Sequence, residues 1–510
     1  MDRAGPIDQS SSKRITAIAT GLTLLFHGLL AGRYDLFRDE LYFIVCGQHP
    51  AFGYADQPPL VPLLAAWLFA LGHGSAWLVR LPVVLAAGAL VWVTARLAAQ
   101  IGGSRLAVTL AALAAAIAPM LMGVTGTLNT SAFDPPAWTL IVWLLVRAIR
   151  LADDRALLIV GLVAGIDLQI KYALVFWAAC LALGLLLTPQ RRLIRRPALW
   201  LGLALAAAIA LPSALWQAAN GLPFLELGAA AAGKNAEVPL GSFLLNQVMV
   251  MNPLLSPLWL AGLVAPFLMA RFRDLRFLPL GCLSMLVLVR LGHGKDYYLA
   301  PLYPALFAVG SAALTVWFST RARQIGGGVL LAGALAVSAV VAPIALPILP
   351  PPHIAPYMAA IGFTPQQQEK SFAGTKLPQQ FADQLGWRTF AAQADAAWQA
   401  IPSEERSRTA IVVGNYGEAA ALDLYGAGLP PVLSGHNQYY LWGLRGQQPR
   451  HLLLVTDDVA EAASYCGEVR VLCQTHAQYA MAYENGLALA WCRDLKIPLE
   501  KVWPQLKHFE

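Results

Sequence analysis

RRLIRRP (Arg191 to Pro197) runs directly into ALWLGLALAAAIALPSALWQ (Ala198 to Gln217). Four arginines are followed by an uncharged apolar run, and about 20 such residues are what a helix needs to cross a hydrocarbon core. The same unit, a basic cluster beside a long apolar run, recurs along the chain. Apolar runs stand at about 14–32, 76–99, 106–123, 136–150, 156–170, 172–189, 198–217, 248–270, 277–291, 302–319 and 328–349. Read as spans, they predict an α-helical polytopic membrane protein of about 11 transmembrane helices.

The basic residues set the orientation. Lys13 and Arg14 precede the first run, and every second loop is basic: Arg96 and Arg105; Arg147, Arg150 and Arg155; Arg191, Arg192, Arg195 and Arg196; Arg271, Arg273 and Arg276; Arg321 and Arg323. Cytoplasmic loops carry such an excess, so the N-terminus is expected inside, with an uncleaved first span. An odd number of spans then places residues 350–510 outside the cytoplasm. This predicts two domains, a membrane domain 1–349 and an extracytoplasmic domain 350–510. In the first, the long outer loop 33–75 contains Pro59–Leu71, too short to span and read as an interfacial helix.

Composition supports this class. Of the 510 residues 57% are apolar and 13% charged, against about 25% charged in an ordinary soluble domain. Disorder, fibrous repeats and an ordinary cytosolic enzyme are excluded. The net charge of +7 is spent on the loop clusters, and no basic tail or aromatic-basic surface pattern points to nucleic acid.

The C-terminal part opens on the Pro-rich linker Pro347–Pro356. RTAIVVG (Arg408 to Gly414) reads as a strand followed by a helix at Glu418–Tyr425. His451–Thr456, Val469–Gln474 and Gly486–Cys492 read as further strands, giving a small α/β domain. No GxGxxG, P-loop or GxSxG motif occurs. Of six cysteines, Cys466, Cys473 and Cys492 lie here. No CxxC spacing suggests zinc, and an extracytoplasmic location allows one disulfide among the three, the pair undetermined.

Candidate chemistry gathers on the outer loops. RDELYF (Arg38 to Phe43) carries Asp39 and Glu40 just beyond a span, where a carboxylate can serve as general base to a lipid-borne substrate. Asp39 can equally cap a short helix starting at Leu41. ADQPPL (Ala55 to Leu60) places Asp56, and LNTSAFDPP (Leu128 to Pro136) places Asp134, each before a Pro pair that also suits a helix start. Lys171 sits in IDLQIKYALVF, where an ionisable residue at membrane depth points to function unless it snorkels to the interface. GHGKDYYLAP (Gly292 to Pro301) adds Lys295, Tyr297 and Tyr298, with the tyrosines able to act as interfacial anchors. His293 reads as a turn residue rather than a metal ligand. A phosphate at the membrane face accounts for both lysines.

RDELYF, YADQPPL, LNTSAFDPP, IKYALVFW and GKDYYLAPLYP, in this order, resemble membrane glycosyltransferases of the protein mannosyltransferase-like group. That group shares the GT-C architecture with protein O-mannosyltransferases and bacterial aminoarabinose-to-lipid A transferases. FADQLGW (Phe381 to Trp387), YGEAAALDLYG (Tyr416 to Gly426) and SGHNQYYLWG (Ser434 to Gly443) resemble a bacterial subset with an extracytoplasmic domain. The resemblance implies inverting transfer of a sugar from a polyprenyl-phosphate-linked donor to an envelope acceptor hydroxyl (glycolipid, lipopolysaccharide or protein) at the outer face of the inner membrane. It implies Asp39 as general base, beside Glu40, and Asp56, Asp134, Lys171, Lys295, Tyr297 and Tyr298 as substrate-binding residues. Gln57 stands where the aminoarabinose transferases carry lysine, which removes the basis for a phosphate contact there. No cofactor is required by this chemistry; a divalent metal is compatible with it. The alternatives are a multi-span transporter or flippase of an envelope precursor, and a scaffold of envelope assembly.

Overall fold

All eleven apolar runs fold as helix in the computed structural model, which describes residues 9–234, 238–317, 320–364 and 373–509. The ends of the run 302–319 and of the domain 350–510 thus lie partly outside the described residues. Among the described residues, five helical segments are long and apolar enough to cross a membrane: Leu81–Gln100, Thr130–Leu151, Pro197–Ala219, Tyr297–Trp317 and Arg323–Ala345. Two bent pairs, Leu174–Leu186 with Pro189–Arg195 and Leu240–Val250 with Pro253–Leu268, raise this to seven if each is one span. Each bend falls at a proline, which cannot continue the hydrogen-bond ladder.

The chain divides into two compact units. The first comprises 1–33, 80–214 and 237–348 and holds most of the apolar helices. Its segment Tyr297–Trp317 is the most enclosed, whereas Arg323–Ala345 leaves most of its surface outside the protein. In a bilayer such a difference separates a central helix from one facing lipid. The helices Ser256–Leu268 and Tyr303–Trp317 cross at Gly262 and Gly310, where a β-carbon on Gly310 would collide with the Leu258 carbonyl. Small residues at such a crossing let backbones approach, which is how helices associate where lipid removes the hydrophobic drive.

The second unit comprises 34–79, 215–236 and 349–510. The loop between the first two apolar runs therefore groups with the C-terminal segment rather than with most of the apolar helices. It contributes two helices, Arg38–Gln48 and Leu60–Leu71. The latter buries Val61, Ala65 and Leu68 and exposes Leu63, Trp67 and Leu71, the two-sided pattern expected of an interfacial helix.

The C-terminal segment is α/β, with strands β1 (Thr409–Val413), β2 (Leu433–Ser434), β3 (His451–Thr456), β4 (Cys466–Gln474) and β5 (Ala488–Leu495). They form one mixed sheet in the order β2-β1-β3-β5-β4. β1 runs parallel to β2 and β3, and β5 antiparallel to β3 and β4. A disulfide joins Cys466 to Cys492 and so ties β4 to β5, while Cys473 keeps its thiol. From β1 the chain turns at Asn415 into the helix Tyr416–Tyr425, whose N-terminus faces the first loop.

Candidate functional site

Two clusters of ionisable side chains stand out, one in each unit. That of the second unit is built around the helix Arg38–Gln48. Its N-cap is Phe37, which has no side-chain acceptor. Glu40 substitutes: its Oε2 accepts from the Phe37 N–H at 2.8 Å, and Glu40 is fully buried. The helix thus starts three residues earlier than Leu41, and Glu40, not Asp39, performs the cap.

Asp39 faces outward, with its side chain 32% exposed. Its Oδ1 accepts a hydrogen bond from the Tyr416 hydroxyl at 2.8 Å, and Arg38 Nε lies 3.8 Å from the same oxygen. Arg38 lies over the Tyr416 ring, 5.1 Å from its centroid, and donates to the Tyr483 hydroxyl. It also stands 4.0 Å from Asp383. Its stem crosses Gly417, where a β-carbon would overlap Arg38 Cγ. The residues of RDELYF are therefore clasped by those of FADQLGW and YGEAAALDLYG.

Asp56 repeats the arrangement. The Tyr42 hydroxyl donates to Asp56 Oδ1 at 2.9 Å and accepts from the Gln438 N–H at 3.1 Å. Gln438 Oε1 in turn accepts from the Ala55 N–H at 3.0 Å. The rings of Tyr42 and Tyr416 lie 4.6 Å apart. Burial pushes the Asp56 carboxyl up to about 7, against the opposing pull of the Tyr42 hydrogen bond. Burial, then the neighbouring Asp56 carboxylate, raises Tyr42 well above the ordinary phenol; burial does the same to Tyr416. Both phenols therefore keep their protons and act as donors.

Behind Tyr416 lies a second acid pair. Glu418 accepts from the Gly414 N–H at 2.8 Å, and Asn415 Nδ2 donates to Glu418 at 2.9 Å and to Glu484 at 3.0 Å. Burial raises Glu418 to about 7, and burial together with Glu418 raises Glu484. The same Asn415 caps the helix through the Gly417 and Glu418 N–H groups.

The first unit's cluster brings together three of the expected motifs. Lys171 occupies the turn between the helices Asp154–Leu168 and Leu174–Leu186. Its Nζ stands 3.3 Å from Asp134 Oδ2, donates to Ser131 Oγ at 2.6 Å, and lies 5.5 Å from the Tyr298 ring centroid. Asp134 opens the helix Asp134–Leu151 with Pro135 in its first turn, as its motif suggests. Tyr297 packs edge-on against Tyr298 at 4.8 Å. Lys295, half-buried, leads into the 3-10 turn Asp296–Leu302.

Asp167 was not anticipated. It is buried, and its Oδ2 accepts from Trp138 Nε1 at 3.2 Å. Tyr42, Tyr416, Arg38 and Ser131 also went unselected, though each stands inside a motif quoted above. Among the described residues no three His, Cys, Asp or Glu side chains are grouped to hold a metal ion.

Residues 56–216, just under a third of the chain, match the family model of the dolichyl-phosphate-mannose-protein mannosyltransferases. ArnT from Cupriavidus metallidurans in the apo state aligns over 93% of this chain and 97% of its own, with a TM-score of 0.62 and 14% identity. The same protein bound to undecaprenyl phosphate aligns over the same shares, with a TM-score of 0.58 and 14% identity. Of the loop motifs, LNTSAFDPP and IKYALVFW fall inside the residues that the family model matches, and the fold is similar to that of ArnT. No curated protein sequence matches the chain.

Proposed function

We propose that this chain is an inverting membrane glycosyltransferase that moves a sugar from a polyprenyl-phosphate donor to a hydroxyl of a cell-envelope acceptor. The observation that carries the reading is Asp39: a partly exposed carboxylate on the first outer loop, held by Tyr416 and Arg38 at one oxygen. Asp39 takes the proton of the acceptor hydroxyl as its oxygen attacks the anomeric carbon. The bond from that carbon to the phosphate oxygen breaks, and its electron pair leaves on the polyprenyl phosphate. Attack opposite the leaving group inverts the anomeric centre.

In the first unit Lys171 supplies a cation for phosphate, where negative charge grows as the bond breaks. Asp134 and Ser131 fix its position. Lys295, Tyr297 and Tyr298 are assigned to the same group. Glu40 acts through the helix cap. The reaction needs no metal under this reading. ArnT, which shares the fold, binds undecaprenyl phosphate, a lipid of the proposed donor class.

The reading places the N-terminus in the cytoplasm and the C-terminal segment outside it, at the inner membrane of the cell. The disulfide Cys466–Cys492 supports this, since such bonds persist in oxidising compartments.

The test is chemical. Envelope glycolipids and glycans from cells with and without the protein are compared by mass spectrometry. Purified protein is then given the missing sugar on polyprenyl phosphate. Release of free polyprenyl phosphate with a product of opposite anomeric configuration is expected. Retention of configuration, or no transfer from any lipid-phosphate sugar, contradicts the reading.

A further inference from the structure

We propose that Tyr416, contributed by the C-terminal segment, is a positioning residue for the base: it holds Asp39 by Oδ1 so that Oδ2 takes the acceptor proton. The inference rests on the reading of Asp39 as general base and assigns a task to a residue 377 positions away in sequence.

The tyrosine is packed against several neighbours. It is the first residue of its helix, and the Asn415 side chain closes that helix end by accepting from two backbone N–H groups. Asn415 is itself anchored to Glu418 and Glu484. The Tyr416 ring packs at a tilt on Tyr42 at 4.6 Å and on His436 at 4.8 Å, with the Arg38 guanidinium over it. From a ring packed this way the hydroxyl donates to Asp39.

The consequence for Asp39 is geometric. Both Tyr416 and Arg38 address Oδ1, while the carboxylate remains partly exposed. A carboxylate free to rotate presents a proton acceptor in many directions. One pinned at a single oxygen presents the other in one, and orientation of this kind lowers a barrier without adding a contact to substrate. The 350–510 segment is on this view part of the catalytic apparatus, not a separate module.

Tyr416→Phe tests the proposal, because it keeps the ring, both ring neighbours and the Arg38 contact and removes one O–H. Misplacing a reacting group can cost about 10²-fold in rate, so kcat is expected to fall about ten- to hundredfold. KM for donor and acceptor should stay within about twofold, and the thermal midpoint close to that of the parent. Introduced into Asp39→Asn, the same change should be nearly silent, because Tyr416 acts through a base that is no longer there. Near-parental kcat in Tyr416→Phe overturns the proposal. So does a full additional loss in the Asp39→Asn background, which would mean that Tyr416 acts independently. If Asp39→Asn alone turns over like the parent, the functional reading itself fails, and this inference with it.

Discussion

Lys171 Nζ stands 3.3 Å from the carboxylate of Asp134, and Asp134 is buried. The lysine is thus paired within the protein. An ammonium has three N–H donors, and Asp134 and Ser131 occupy two. The third is the donor that the proposed function assigns to the phosphate.

Lys171→Ala removes that donor and also strands Asp134 without its cation. Stranding a buried charge costs about 3–5 kcal/mol, so the thermal midpoint in detergent should fall. Lys171→Ala combined with Asp134→Ala should recover much of that stability. It should not recover turnover, because the phosphate still lacks its cation. Recovered turnover would reduce Lys171 to a structural partner.

Lys295→Ala should lower kcat more than it weakens donor binding, since a cation at a leaving phosphate acts chiefly on the transition state. Steady-state kinetics beside direct donor titration separate the two quantities. Equal turnover in parent and variant would leave Lys295 a residue of the interface only.

Asp56 ties stability to pH. Its folded carboxyl titrates at about 7, above the ordinary 3.8, because of burial. Below pH 4 both folded and unfolded states hold the proton and Asp56 has no effect. Between 4 and 7 the unfolded state releases it first, so the fold loses stability as pH rises; above 7 the loss is complete. Asp56→Asn should therefore be no more stable than the parent near pH 4 and more stable above pH 7, by on the order of 1–2 kcal/mol given its half-buried position. A constant difference across that range would contradict the assignment.

Topology has its own test. A reporter active only in the periplasm, fused after Glu510, should work, and one active only in the cytoplasm should not. Cys466→Ser with Cys492→Ser opens a crosslink between residues 26 apart, and loops of this size are worth about 3 kcal/mol. The double variant should melt lower than the parent, and the parent should fall to the same value under reductant. Parent and variant melting alike in the absence of reductant would mean that no such bond forms.

Much of this was legible because it is local. Apolar length predicts the helices, and Asp134-Pro135-Pro136 marks a helix start by residue type alone. β3 fell on His451–Thr456, the stretch read as a strand from the sequence. What escaped is long-range or cryptic. The partnership of Asp39 with Tyr416 leaves no spacing signal across 377 residues. Glu40 caps a helix whose N-cap is phenylalanine, so the usual Ser or Thr that flags a capping box is missing. β2 has two residues, too few to show a period. Asp167 lies in an apolar run and looks like the end of a span, although its carboxylate meets Trp138 inside the protein. The disulfide pair could not be chosen among three cysteines without the register of β4 on β5.

The most direct measurement is the turnover of purified Asp39→Asn with a polyprenyl-phosphate sugar donor. Asparagine keeps the shape and can still accept from Tyr416, but it cannot take the acceptor proton. The account predicts a loss of about 10²–10⁴-fold in kcat, with donor affinity and thermal midpoint close to those of the parent. Turnover within a few fold of the parent would contradict it and leave Asp39 a structural carboxylate.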